Sequence, residues 1–302
     1  MLEPKDVNIF LVGDFMLDKY IVGDVERISP EAPVPIVKVT NEFATLGGAG
    51  NVARNLRAIG TNVRCVGLIG HDYDGIQIKD NLDGIGASHR MIEELATTTV
   101  KTRIIADERK IQMLRLDEED IIDPDAASEL IIEIINQNFS KDMFNYIVVS
   151  DYAKGTINQQ IMIHINQLGV PVIVDPKPVY DYYYGRVELM TPNSKEYKQM
   201  FFDKRCSSEF ILVTEGKDGM TLIDNRQGHG KYKIKGEEVE VYNVSGAGDT
   251  VVAVMATCMA MGLHPAKAAI VANKCAAYVV TKPGTSIITE NKFTDIVKSY
   301  IA

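Results

Sequence analysis

Short apolar runs alternate with segments of helical period along most of the 302 residues. Val7–Val12, apolar except for Asn8, has the pattern of a strand covered on both faces, and it ends at Gly13-Asp14. Asn51–Ile59 places Val52, Leu56 and Ile59 on one side of a helix that Gly60 stops. Val63–Leu68 is the next strand. Leu130, Ile131, Ile134, Ile135 and Phe139 then share one face of a helix over 126–139. The same reading gives strand Tyr146–Val149, helix Ile157–Leu168, strand Val172–Val174, a short helix near Ser194–Phe201 and strand Phe210–Val213. Helices Ala247–Met261 and Pro265–Val280 close the alternation. Strands alternating with helices predict an α/β fold: a mostly parallel sheet flanked by helices on both faces, with ligands beyond the carboxyl ends of its strands.

Two stretches break the pattern. Tyr20–Val25 and Val34–Val39 are β-like runs around the proline-rich turn 28–35, and Thr99–Ala106 and Lys110–Leu116 are a second pair around Asp107-Glu-Arg109. Four strands without helices are too few for a domain of their own. They predict a small β-sheet lid, about 20–39 and 99–116, on one domain spanning 1–302. The acidic block Asp117–Asp120 reads as a solvated turn.

Two glycine-rich segments carry chemistry. In Asn243-Val-Ser-Gly-Ala-Gly-Asp-Thr250, Gly246, Ala247 and Gly248 offer backbone N–H groups at the start of an apolar helix, a nest for a phosphate or a transferring phosphoryl group. Asp249 sits in the first helical turn, where a carboxylate can accept a hydroxyl proton. The plainer alternative is a glycine turn with Asp249 stabilising the helix start. In Gly47-Gly-Ala-Gly-Asn-Val-Ala53, Gly47 and Gly48 allow close approach of a ligand and Asn51 can bond sugar hydroxyls; the alternative is an Asn-capped helix entry. Neither segment is a Walker A loop or a dinucleotide fingerprint.

Charge narrows the partners. The formal net charge of −9 repels nucleic acid and anionic membrane surfaces, so neither is expected, while a local cluster of Lys and Arg still suits an anionic small substrate. No apolar run is long enough to span a bilayer and the amino terminus lacks a signal-peptide build, so a cytoplasmic location is expected. Cys65, Cys206, Cys258 and Cys275 have no zinc-site spacing and read as buried free thiols.

In their order and separation the two glycine segments resemble the paired signatures of the ribokinase-like (PfkB) carbohydrate kinases, in which the early motif binds sugar and the late one carries the anion hole and the base. The resemblance covers nearly the whole chain. Thr191-Pro-Asn193 with Glu196 is similar to the family's motif near magnesium and phosphates, and Val213–Gly216 with Gly219 looks like its nucleotide-side strand and turn. Further stretches are similar to one branch, the kinase half of the bifunctional heptose-7-phosphate kinase/adenylyltransferases. They are Val12–Asp18, Arg27–Pro35, Ser150-Asp-Tyr-Ala-Lys-Gly155, Val174-Asp-Pro-Lys177 and Gly284-Thr-Ser286.

That resemblance implies ATP-dependent phosphorylation of D-glycero-D-manno-heptose 7-phosphate at its anomeric hydroxyl, toward ADP-heptose, with Mg²⁺; a monovalent-cation requirement stays open. It implies that Asp14 holds sugar hydroxyls, that Asp18 supports them or the lid, and that Gly47, Gly48 and Asn51 line the sugar site. Arg103, Arg115 and Lys154 are the candidate cations for the 7-phosphate; surface charge is the alternative for each. Lys177 would reach the nucleotide phosphates. Asn193, Glu196, Thr214, Gly216, Gly219 and Asn273 would serve ATP, with Glu196 toward the metal.

Two departures stand out. Asn243 replaces the family's usual Asp, and the stretch from Asn193 to Val213 is short, as though a helix were missing. The adenylyltransferase step is expected from a separate protein, or else the kinase serves another pathway. Two other readings remain open: a kinase for a different phosphosugar, and a catalytically silent sugar- or nucleotide-binding regulator. The lid strands carry edges and apolar residues such as Ile21, Val34 and Ile36, so a homodimer through the lids is expected.

Overall fold

The structure, a computed structural model, describes every residue except 1, 96, 108–110, 121–124, 126, 179–183, 201–207, 227–229, 283 and 302, and the side chains of Leu95 and Ile301. In chain order its elements begin with β1 (Asn8–Gly13), β2 (Phe15–Ile28), β3 (Pro35–Gly48), α1 (Ala49–Ala58), β4 (Asn62–Gly70), α2 (Tyr73–Gly84) and β5 (Ser88–Leu95). Then come β6 (Val100–Ala106), β7 (Ile111–Glu118), α3 (Ser128–Asn138), β8 (Tyr146–Ser150), α4 (Gln159–Gln167), β9 (Val172–Asp175) and β10 (Leu189–Met190). The chain continues with α5 (Ser194–Met200), β11 (Phe210–Thr214), β12 (Gly219–Asp224), β13 (Gly230–Lys235), α6 (Ala247–Ala260), α7 (Pro265–Val280) and α8 (Glu290–Ile301).

Among the described residues the large sheet has nine strands in the order β13-β12-β11-β10-β9-β8-β1-β4-β5. Pairing is parallel from β5 to β11, and β12 and β13 extend it antiparallel. β1 shows why its run is apolar on successive positions. Ile9 and Leu11 enter a core shared with α1, α2, α6, α7 and α8, while Phe10 and Val12 enter a second core with α3 and α4. Alternate side chains of one strand thus serve two layers, and burying each stabilises by about 1.5–3 kcal/mol. α6 is almost wholly buried from Asp249 to Met259, so its sequence shows little polar face.

A separate four-stranded sheet has the order β3-β2-β6-β7, with β2 and β6 parallel. Only Asp14 separates β2 from β1, and β3 runs straight into α1. Both strands are longer than the expected 20–25 and 34–39. Their buried bases continue the core, and two register shifts, at Val22/Gly23 and Asp24/Arg27, precede the exposed tips. The turn expected at Asp107-Glu-Arg109 lies partly outside the described residues, as does Cys206. Cys65, Cys258 and Cys275 are buried and free, and burial raises all three thiols.

Several elements escape the sequence pattern. α2 is polar apart from Ile76, Ile78 and Leu82, β10 is two residues long, β5 and β13 are edge strands with several charges, and β12 is a short run broken by Gly219 and Thr221. The chain does not close at Val280: α8 follows, burying Phe293, Ile296 and Val297. The short helix expected near Ser194–Phe201 is α5, and 201–207, within the stretch expected to lack a helix, lie outside the described residues. Among the described residues, no helix is long and apolar enough to cross a membrane.

Candidate active site

Asp249 is the third residue of α6, behind Gly246, whose left-handed backbone (φ 80°) caps the helix. A side chain at Gly246 would put its Cβ 2.6 Å from Asn51 Nδ2 and 2.7 Å from Thr285 Cγ2, so glycine is needed for both reasons. Asp249 is 6% exposed. Asn51 Nδ2 donates to its Oδ2 at 2.7 Å and the Tyr152 hydroxyl donates to its Oδ1 at 2.7 Å. Thr250 donates to Asn55 Oδ1 at 2.9 Å, and Asn55 donates to the Asn51 carbonyl, which ties α1 to α6. Burial pushes the Asp249 carboxyl up to about 6 against the two hydrogen bonds that favour its charged form. Of the expected anion-hole amides, that of Ala247 donates to the Val244 carbonyl at 3.3 Å. The amides of Gly248 and Asp249 follow it in the first turn, where a helix has no acceptors for its own N–H groups.

Tyr152 belongs to the loop that follows β8. Asp14, 2% exposed, organises that loop: its Oδ2 accepts from the Tyr152 and Lys154 amides at 2.7 and 3.0 Å, and its Oδ1 from Thr156 N at 3.1 Å. The carboxylate expected to hold sugar hydroxyls therefore also anchors this loop, through three backbone N–H groups. Asp151 accepts from Ala153 N and from the Tyr184 hydroxyl, and burial with the neighbouring Asp14 charge holds its carboxyl well above the usual range. Ala153 takes the left-handed conformation at φ 57°, a strained geometry that these bonds maintain.

One face of the small sheet carries a charged cluster next to this site. In register, Asp18 pairs with Lys101 and Tyr20 with Arg103 across β2 and β6, and Lys101 with Asp117 and Arg103 with Arg115 across β6 and β7. Arg103 donates to Asp18 at 2.5 Å and lies over the Tyr20 ring. Gly47 faces the Asp18 carboxylate, where a Cβ would stand 2.8 Å from Oδ2; at Gly48 (φ 54°) it would meet the Asp14 carbonyl. Arg115 does not join the site. Its side chain is half exposed and bonds Asp117 two residues along the same strand, at 2.8 and 2.9 Å. The block 117–120 is likewise more than a solvated turn, since Glu119 pairs with Lys154.

On the other side of Asp249 lies a small cavity of about 170 Å³ lined by Tyr152, Asp175, Lys177, Thr191, Glu196 and Gly248, among others. Lys177 contacts Glu196 at 3.2 Å and its ammonium lies 4.9 Å from the Tyr152 ring centre. Burial and the charges of Asp249 and Glu196 push Asp175 up to about 8. Asn193 caps α5 through its Oδ1, and Glu196 Oε2 accepts from Asn193 N, a reciprocal cap that fixes both side chains. This cavity meets a larger one of about 530 Å³ at Asn193, Thr214 and Gly248. The larger one is mostly apolar and includes Gly216, Gly219, Val241, Val244, Asn273 and Ala277, which is the lining a planar base needs. Asn273 also donates to the Lys235 carbonyl at 3.0 Å.

The structure thus brings Asp249, Asn51, Gly246, Gly248, Asp18, Lys177, Glu196 and the nucleotide-side residues to one cleft. Sequence reading missed Tyr152, Arg54 and Lys101. Arg54 stands three residues after Asn51, on the same helix face, and donates to Asn51 Oδ1 at 3.2 Å. Lys101 stands two before Arg103, on the same strand face. Those spacings were the available signal. Tyr152 lay inside the quoted stretch Ser150–Gly155, but a loop tyrosine declares its partner only in three dimensions.

A buried carboxylate at a helix start, lining a small polar cavity that opens into a larger apolar one, is an arrangement suited to phosphoryl transfer to a small molecule on an α/β frame. The chain belongs to the pfkB family carbohydrate kinases, whose pattern matches residues 7–292. It is 36% identical over 300 residues to the D-beta-D-heptose 7-phosphate kinase of Bordetella bronchiseptica, covering 93% of each chain. It is 35% identical to the bifunctional protein HldE of Syntrophotalea carbinolica, covering 94% of this chain and 61% of that protein. The chain therefore spans about three fifths of the length of that relative. Among solved structures, phosphofructokinase-2 from Escherichia coli in complex with potassium superposes with a TM-score of 0.81 at 16% identity, covering 98% of this chain and 100% of that one. Ribokinase from Thermotoga maritima gives 0.69 at 19% identity, covering 97% and 99%.

Proposed function

We propose that this protein is an ATP-dependent sugar kinase that phosphorylates D-glycero-D-manno-heptose 7-phosphate at its anomeric hydroxyl. The observation that carries the reading is Asp249, a buried carboxylate lining the small cavity beside Gly248, where that cavity meets the apolar one. The heptose phosphate comes from the relative named for it, 36% identical along 93% of this chain.

The base of ATP occupies the apolar cavity and its γ-phosphoryl group enters the small one. Asp249 accepts the proton of the sugar hydroxyl as that oxygen attacks phosphorus in line. The Gly248 and Asp249 amides and Lys177 offset charge on the transferring group, and Asn51 and Tyr152 hold the base in place. Among the described residues no three acidic, His or Cys groups gather as a metal cage. A cavity lined by Glu196 and Asp175 fits Mg²⁺ bound mostly through water and ATP phosphates, where it would offset their charge. Asp18, Gly47 and Asn51 line the sugar side. Two copies pair through the small sheets, whose Val39, Phe43 and Leu116 are exposed.

An ADP-release assay with Mg-ATP tests this, using mannose, ribose, fructose 6-phosphate, sedoheptulose 7-phosphate and the aldoheptose 7-phosphate. ADP release confined to the last, with a 1,7-bisphosphate product, supports the proposal. Turnover of another phosphosugar discards the heptose, and ligand binding without any turnover points to a regulator.

A further inference from the structure

Tyr20 lies on β2 two residues after Asp18, so the two side chains share one face of the small sheet. Three adjacent strands fix its ring. Phe43 of β3 stacks on it with ring centres 4.9 Å apart, and the Arg103 guanidinium of β6 stands 5.4 Å from its centre. Tyr20 is 4% exposed, and its hydroxyl shares a hydrogen bond of 2.9 Å with Thr285 Oγ1. Thr285 belongs to the loop between α7 and α8, 265 positions away in the chain. A phenol hydroxyl taken out of water needs such a partner, and here the bond ties the small sheet to the body of the protein.

Thr285 in turn touches both parts of the transfer site. Its Cγ2 lies 2.7 Å from where a Cβ on Gly246 would stand, so its methyl group packs on the turn that opens α6. Its carbonyl accepts from Arg54 Nη1 at 3.4 Å, and the same nitrogen donates to Asn51 Oδ1 at 3.2 Å. Asn51 then donates to Asp249 Oδ2 at 2.7 Å. Contacts thus run without a break from Tyr20 through Thr285, Arg54 and Asn51 to the carboxylate. Burial lowers the Arg54 pKa, and a guanidinium so placed depends on the acceptors it has. Moving Thr285 would move Arg54 with it.

We infer that Tyr20 is a positioning residue for phosphoryl transfer: through Thr285 it sets the Gly246 turn and the Arg54–Asn51 pair that orients Asp249. The inference rests on the reading of Asp249 as the base and adds a residue of the small sheet to its support. The consequence is specific. One hydroxyl on that sheet governs kcat without contributing to substrate affinity.

The groups whose charge or hydrogen bond reaches Asp249 are Asp18 on β2, Arg54 on α1, Tyr152 in the loop after β8, and Asp175 and Lys177 at and after the end of β9. The test changes none of them. Tyr20→Phe and Thr285→Val each remove one hydroxyl and keep the shape. Each should lower kcat about 3- to 10-fold, the worth of one neutral hydrogen bond, with KM for ATP and for the sugar nearly unchanged. The double variant should be no slower than either single one, since both remove the same bond. Thr285→Ser keeps the hydroxyl and should hold kcat close to that of the parent chain.

A second readout is independent of turnover. The Tm difference between each protein and its own Asp249→Asn counterpart, followed from about pH 4 to about pH 8, reports where Asp249 ionises. The Asn51 bond favours the charged form, so loosening it should move that pH upward, equally in Tyr20→Phe, in Thr285→Val and in the double variant. Single-variant effects that add, or a Tyr20→Phe kcat equal to the parent's, overturn the inference. An unmoved ionisation pH in both single variants overturns the route to Asp249 whatever kcat does, and a lowered Tm alone shows that Tyr20 only packs. If the parent chain turns over no sugar, the kinase reading fails and the ionisation measurement decides the coupling by itself.

Discussion

Asn51 and Asp249 lie 198 positions apart in the chain and 2.7 Å apart in space, with the amide of the first donating to the carboxylate of the second. Asn51 is itself oriented: Arg54 donates to its Oδ1 at 3.2 Å, and an amide whose oxygen faces a guanidinium must turn its NH₂ the other way, toward Asp249. The early and late glycine segments are therefore two halves of one device, joined by α1 and α6 packing side by side.

Replacing the proposed base tests the chemistry directly. Asp249→Asn should lower kcat by about 10²- to 10⁴-fold, the usual worth of a positioned base. Calorimetry should find ATP and sugar binding close to unchanged. Loss of binding, or near-normal ADP release, would remove Asp249 from that role.

The raised carboxyl makes a pH prediction with a defined sign. Asp249 must be ionised to accept a proton, so kcat/KM should fall as pH drops through about 6. The Tyr152 hydrogen bond favours the charged form, so Tyr152→Phe should move that acid limb upward. Stability runs the opposite way. Because the folded carboxyl sits above its ordinary 3.8, charging it in the fold costs stability as pH rises from there to about 6. Asp249→Asn should therefore raise Tm by a few degrees above pH 6 and have little effect below about pH 4.

Gly246 and Gly248 should part company on substitution. Gly246→Ala forces an L side chain into φ 80° and against Asn51 and Thr285, which should cost about 1–3 kcal/mol and displace the base's partner. Gly248 meets nothing within 4 Å, so Gly248→Ala should fold at least as stably while crowding the cavity that receives the phosphoryl group. Melting curves and ADP release together separate the two: both readouts fall for the first variant, only turnover for the second.

Arg54 is a positioning residue in this geometry. Arg54→Met should lower kcat about 10- to 100-fold, the scale of one charged hydrogen bond, with little change in the KM for ATP. Arg54→Lys should recover part of it. A matching rise in both KM values with kcat unaltered would show that the guanidinium only packs.

What the chain order itself determined is the layered frame and the chemistry of its turns. Periodicity along a segment is a local property: apolar runs such as 9–12 declared a doubly covered strand, and the glycines before Asp249 declared a helix start with free amides. What it could not determine is which polar groups meet across the fold. Asp14 and Asp18 are four residues apart and equally acidic, yet one anchors a loop through three backbone amides and the other holds the Arg103 guanidinium, because β2 leaves the main sheet between them. Arg103 and Arg115 are cross-strand partners on one sheet face, but only the first finds Asp18, since the second is captured by Asp117 on its own strand. Tyr152 and Glu119 acquired their partners only when the loop after β8 was brought beneath the small sheet. Hydrogen bonds and charge pairs act over a few ångströms, and those separations are set by tertiary packing rather than by spacing along the sequence.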